Sequence, residues 1–166
     1  MYNPKPLVLY KENSKKIYSS YGIPFECVEL IRRYFVLYYS LTFPSVDDAY
    51  DMFYSINSLY HINTNEVILL ETKISPNINI NDLQVGNLIF WKRNMYTNDN
   101  YGHVGIIIKS TKTSVTIAQQ NMHNLVEKYN KHDLIRAIHR KNTIFLGIKH
   151  LPDEFQTQNE IIVKKK

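Results

Sequence analysis

Cys27 is the only cysteine in a chain of 166 residues. It follows Pro24, Phe25 and Glu26 and heads an amphipathic run, Cys27-Val28-Glu29-Leu30-Ile31-Arg32-Arg33. A lone cysteine forms no intrachain disulfide and no thiolate metal site, which leaves an inert buried thiol, an intermolecular bridge, or a nucleophile served by a histidine. His103 is the histidine best placed for that service, at the head of a β-like run, Gly102-His103-Val104-Gly105-Ile106-Ile107-Ile108. A thiol in the first turn of a helix meets unpaired N–H groups and the positive end of the helix dipole, both of which favour an ionised sulfur. An imidazole beside it would take the proton and give a thiolate–imidazolium pair able to attack a carbonyl. A third group ordinarily orients the imidazole. The neighbouring strand ends in Ala118-Gln119-Gln120-Asn121, so Gln119 or Asn121 is expected to accept from His103, according to register. The backbone N–H of Cys27 is a natural oxyanion donor. The plainer reading of each residue is packing, since a single cysteine on an amphipathic helix is commonly a small hydrophobe. The remaining histidines, at 61, 123, 132, 139 and 150, share no ligand spacing, so no metal is expected.

The elements that must position these residues are readable in outline. Residues 25–42 carry apolar side chains at helical spacing, with Pro24 suited to a first helical position and Pro44 closing the run. Ser45 is expected to cap a second helix, with Asp47 and Asp48 in its first turn and Ala49, Met52, Phe53 and Ile56 on its apolar face. Strands are expected at Leu7–Tyr10, Val67–Leu70, Leu88–Trp91, His103–Lys109, Ser114–Gln119, Leu134–His139 and Thr143–Ile148, with 77–81 and 92–101 as loops. Helices precede strands, which gives an α+β class with N-terminal helices packed on an antiparallel sheet. There is no internal repeat, and a single domain over 1–152 is expected, followed by a polar, Lys-rich tail at 153–166 that reads as solvated.

Composition limits the function classes. A hydrophobic fraction of 44% with 21% charged residues is that of a globular chain. No apolar run is long enough to span a bilayer, and the N-terminus lacks the apolar core of an export signal. A cytoplasmic location and no membrane partner are therefore expected. The net charge of +5 is modest and its basic residues are scattered, so no nucleic-acid partner is expected.

Four blocks in order carry a family resemblance: Cys27-Val28-Glu29-Leu30-Ile31-Arg32-Arg33-Tyr34-Phe35, Leu88-Ile89-Phe90-Trp91, Gly102-His103-Val104-Gly105-Ile106-Ile107 and Ile117-Ala118-Gln119-Gln120-Asn121. The combination resembles the CHAP family of cysteine, histidine-dependent amidohydrolases/peptidases. Within it, the blocks are most similar to the amidase domains of glutathionylspermidine synthetase/amidase and trypanothione synthetase. The resemblance implies a papain-like α+β fold, Cys27 as nucleophile and His103 as base and then acid. Gln119 falls where those amidases have their orienting glutamate. Arg32 falls on a substrate-side arginine, and Trp91 is taken as a second substrate-binding residue. Glu26 falls where the family has a glutamine beside the oxyanion. The acid and the amide are thus exchanged between positions 26 and 119, and one arrangement that would explain it puts the two side chains in contact. No cofactor is implied.

These expectations amount to a thiol-dependent amide hydrolase acting on a small peptide amide or polyamine conjugate, such as a glutathionylspermidine-like substrate, through a thioester on Cys27. Two alternatives stand beside it. One is peptidoglycan cleavage, as other members of the family perform. The other is a catalytically silent CHAP-fold binding module, to which Glu26 and Gln119 point.

Overall fold

The run that begins at Cys27 folds as helix α1 (Cys27–Tyr39), in a computed structural model that describes residues 5–11, 21, 26–92, 101–155 and 159–166. Pro24 and Phe25, the expected helix start, lie outside the described residues, as do positions 93–100 of the polar loop. Leu30, Ile31, Tyr34 and Phe35 recur at three- and four-residue spacing and are all buried, which is the packing that makes a helix of this sequence stable. The helix stops at Ser40, whose left-handed backbone (φ 55°) turns its N–H onto the carbonyls of Phe35 and Val36. Helix α2 spans Ala49–Ser55. Its cap is Asp48, whose carboxylate accepts from Asp51 N–H at 2.7 Å, rather than Ser45. The helix begins where its apolar face begins, and the nearest residue able to reach three positions ahead takes the cap.

Eleven strands are described: β1 (Leu7–Leu9), β2 (Leu41–Thr42), β3 (Ser58–His61), β4 (Val67–Leu69), β5 (Glu71–Ile74), β6 (Leu88–Trp91), β7 (His103–Ser110), β8 (Ser114–Ala118), β9 (Val126–Asn130), β10 (Phe145–His150) and β11 (Val163–Lys165). Six of them form the central sheet in the order β5-β10-β6-β7-β8-β9, with every neighbour antiparallel. A three-stranded sheet, β2-β3-β4, stands apart from it.

Two expectations are corrected. Leu134–His139 is not a strand but most of helix α3 (Lys131–His139). Leu134 and Ile138, four apart, are its buried pair, and the Asn130 side chain caps it by accepting from Asp133 N–H at 3.1 Å. A short apolar run suits helix or strand equally; the cap decides here. The C-terminal segment is not a free tail, because β11 pairs in parallel with β1 and Ile161 is buried against the core. The side chains of Lys164 and Lys165 stay in solvent while their backbone is paired.

Alternation along the strands splits the core in two. Leu88, Phe90, Val104, Ile106 and Ala118 face α1 and α2. Ile89, Ile107, Ile117, Phe145 and Trp91 face the other way, toward α3. The architecture is mixed helix and antiparallel sheet, α+β, with a helix layer on each face of the central sheet. Among the described residues, no helix is long and apolar enough to cross a membrane.

Candidate functional site

His103 is delivered by a turn that only glycine makes easily. Gly102 has φ +70°, and a Cβ there would stand 3.0 Å from the Trp91 carbonyl. From that turn β7 enters the sheet with His103 directly opposite Trp91 on β6. The two rings lie 5.1 Å apart, and Trp91 stacks in turn on Phe145, the next strand over, at 5.4 Å. Gly105 makes room for this row, since a Cβ there would meet Ile117 at 2.7 Å and the Trp91 ring at 3.5 Å. The close approach that a glycine permits is therefore made by the protein's own side chains. Trp91 reaches the site as a wall against the imidazole.

Gln119 orients His103. Its Oε1 lies 2.9 Å from His103 Nε2, and its Nε2 donates to the Asn124 carbonyl at 2.8 Å. The second bond settles which end of the amide faces the ring, because a carbonyl accepts only from the NH₂. The oxygen therefore faces His103, so Nε2 of the ring carries the hydrogen. In the neutral imidazole, the basic lone pair then sits on Nδ1. Gln119 is 1% exposed and His103 8%, so the bond is shielded from competing water. Asn121, the alternative acceptor, is exposed and takes the left-handed conformation (φ 60°) that turns the chain after β8. It is a turn residue.

Cys27 sits at the start of α1, which packs against β7. The backbone N–H groups of Val104, Val28 and Cys27 itself favour the ionised sulfur.

These donors favour a thiolate, but burial outweighs them. Cys27 is 7% exposed. Loss of solvent pushes its thiol up to about 12, with Glu26 adding in the same direction by charge repulsion. Against the expectation of a sulfur ionised at neutral pH, burial favours the neutral thiol at Cys27.

Glu26 is the residue before the helix and makes no side-chain cap. Burial raises its carboxyl above the ordinary range. The expected contact between Glu26 and Gln119 is not what the structure has. Gln119 spends its amide on His103 and Asn124. The side chain that reaches residue 26 belongs to the next residue, Gln120, which donates to the Glu26 backbone carbonyl at 3.0 Å.

Arg32 holds backbone. Its guanidinium donates to the carbonyls of Tyr21 (3.0 Å), Phe43 (3.3 Å) and Pro44 (2.9 Å) and lies 4.2 Å above the Phe43 ring. These contacts fasten the segment after β2 to α1. Among the described residues, no group of three His, Cys, Asp or Glu side chains is placed to hold a metal.

The sequence reading passed over a second cluster beside Cys27. Glu29 and Arg33 form a bidentate ion pair on α1 (2.8 and 3.3 Å), and Gln120 bridges them. The signal available was the four-residue spacing of Glu29 and Arg33, together with the parity that puts Gln120 on the same side of its strand as Ala118.

Comparison with known proteins gives a fold and no more. No family model and no curated protein matches the chain. A solved structure described as the crystal structure of Ly7917 is similar at 14% identity and a TM-score of 0.51, over 77% of this chain. The chain spans about half (54%) of the length of that protein.

Proposed function

We propose that the chain is a thiol-dependent amide hydrolase with a papain-like, CHAP-type arrangement, acting on a small peptide amide or polyamine conjugate. The observation that carries this reading is the His103–Gln119 pair at 2.9 Å, with the amide held the right way round by Asn124. It leaves the basic nitrogen of His103 at Nδ1, on the strand against which the Cys27 helix packs. Because burial favours the neutral thiol, His103 acts as a general base during attack. It removes the S–H proton as the sulfur bonds to the amide carbon. The tetrahedral adduct collapses as His103 returns that proton to the departing amine, leaving a thioester on Cys27. A water, deprotonated by the same ring, then releases the carboxylic acid and restores the thiol.

Gln119 stabilises the imidazolium less than a carboxylate would, but it fixes the same tautomer. At Glu26, the neutral carboxyl can donate a hydrogen bond to an oxyanion and the ionised form cannot. Burial shifts this residue toward the neutral form. Glu26→Gln supplies an amide donor at every pH and removes a charge beside the sulfur. It should raise turnover at pH 7 by about tenfold or more.

The test is mass spectrometry of the intact protein after brief exposure to γ-glutamyl and glycyl polyamine amides and to peptidoglycan peptides. An acyl adduct on Cys27 that disappears in Cys27→Ala is the expected result. Amines still released by Cys27→Ala would overturn the role of the thiol, and no reaction with any of the panel would overturn the hydrolase reading.

A second reading, a binding module that keeps the fold without turnover, is favoured by one observation, the burial that holds the Cys27 thiol near 12. Alkylation by iodoacetamide separates the two. In the enzyme, His103→Ala slows modification of Cys27 at pH 7; in a silent module the two proteins react alike.

A further inference from the structure

We propose that Gln120 is a positioning residue, which sets the nucleophile helix in register with the histidine strand. The proposal rests on the reading of Cys27 and His103 as a reacting pair. Its basis is the placement of two adjacent glutamines. Ile117 faces the α3 side of the sheet and Ala118 the α1 side. The chain keeps this alternation for two residues beyond β8. Gln119 therefore reaches His103 on one face, while Gln120 reaches α1 on the other. Asn121, with its left-handed φ of 60°, then turns the chain away. One peptide unit thus connects the group that orients the base to the group that holds the start of the nucleophile's helix.

Gln120 is fully buried (0% exposed) and uses both ends of its amide. Its NH₂ donates to the Glu26 carbonyl at 3.0 Å and to Glu29 Oε2 at 2.9 Å. Its Oε1 accepts from Arg33 Nη2 at 3.0 Å and from the Tyr10 backbone N–H at 2.9 Å. The bond to Glu26 matters most for chemistry. That carbonyl belongs to the peptide whose N–H is that of Cys27, and it also accepts the first helical hydrogen bond, from Leu30. Holding it fixes the direction in which the first turn of α1 presents its sulfur. The ion pair of Glu29 and Arg33 keeps the glutamine from rotating, and Arg33 Nη1 extends the contact to the Val8 carbonyl on β1 at 2.7 Å. A residue present only to fill space would not need four directed bonds.

The proposal predicts a coupling between Gln120 and His103, measured as the rate of Cys27 alkylation by iodoacetamide at pH 7 in four proteins: the natural chain, Gln120→Met, His103→Ala and the double variant. In the natural chain, His103→Ala slows alkylation by about tenfold or more, as loss of a general base requires. In the Gln120→Met background, the same substitution changes the rate by less than about twofold, because the Glu26 carbonyl and the first turn of α1 are no longer held in place. Gln120→Met must keep the native circular dichroism spectrum for the comparison. If it fails to fold, Gln120→Asn, which keeps the amide and shortens its reach to residue 26, replaces it in the cycle. Independent effects, with the two single losses multiplying in the double variant, would overturn the proposal and leave the Cys–His reading standing. An absence of any His103→Ala effect in the natural chain would instead overturn the Cys–His reading, and this proposal with it.

Discussion

Arg33 and Lys149 are both buried cations, at 6% and 0% exposure, and the fold treats them in opposite ways. Arg33 has a carboxylate on the next helical turn, a glutamine oxygen and a backbone carbonyl, so its charge is neutralised and its fork is filled. Lys149, on β10, has two neutral oxygens as its partners among the described residues, Asn57 Oδ1 at 3.2 Å and Thr72 Oγ1 at 3.0 Å, with the Phe53 ring 5.3 Å away. Burial therefore lowers its amine to about 8. The first cation stands beside the candidate nucleophile and the second on a strand remote from it. Charge is compensated where geometry must be held and merely tolerated where it is not. A buried ion pair is an expensive way to gain stability but an effective way to fix an orientation.

The largest expected effect comes from breaking the compensated cation. Glu29→Ala leaves Arg33 charged in the interior with one neutral amide and one carbonyl, which should cost about 3–5 kcal/mol of unfolding free energy. Urea denaturation at pH 7 measures it. A loss below about 1 kcal/mol would mean that Arg33 reaches solvent on its own and that the contrast with Lys149 is false.

Lys149→Met should act in the other direction. The lysine's folded value near 8 lies below the ordinary 10.5, so between those two pH values the unfolded chain binds more protons than the folded one. Stability then rises with pH across that window, and below pH 8 the full penalty is present. The shift corresponds to about 3 kcal/mol. Asn57 and Thr72 are exposed residues that can turn to water once the amine is gone. Lys149→Met should therefore gain about 1–3 kcal/mol at pH 7, with the advantage shrinking toward pH 10.5. Thermal unfolding at a series of pH values checks both the sign and the window, and a destabilised variant at pH 7 would mean that the amine is worth more than its solvation loss.

The same contrast explains what could be read from the sequence. Cys27 lies at a helix start and His103 at a strand start, as the local pattern has them, and of the two acceptors the register left open, Gln119 and Asn121, it is Gln119 that meets His103. The buried cluster does not declare itself locally. Glu29 and Arg33 look like the solvated face of a helix until Gln120, nearly a hundred positions away, is folded onto them. β11 was hidden for a related reason: Lys164 and Lys165 point to solvent and read as tail, while the pairing with β1 spans the whole chain. β5 and β9 are edge strands of the central sheet with charged residues along them, so their alternation is weak. The helix dipole that favours an ionised sulfur is visible in a sequence, and the desolvation that opposes it is not.

Arg32 lies between the two extremes and gives the smallest expected effect and the sharpest test of a site assignment. It is half-buried, without a carboxylate partner among the described residues, and it spends its guanidinium on three carbonyls and one aromatic face. Hydrogen bonds from a charged donor at a partly exposed position, with a cation–π contact, are worth about 1–2 kcal/mol together. Arg32→Ala should cost that much. Arg32→Lys should recover little of it, because one ammonium cannot span the Tyr21, Phe43 and Pro44 carbonyls as a planar fork does. As a fastener of backbone, Arg32 should change stability and leave the KM for a cleaved amide within about twofold. As the substrate-side residue that the family resemblance implies, it should do the reverse and raise KM with little change in unfolding. Measuring both quantities on the same Arg32→Ala protein decides which role the guanidinium has. The second outcome would also show that an uncompensated cation at this surface is kept for a ligand, which would break the rule drawn from Arg33 and Lys149.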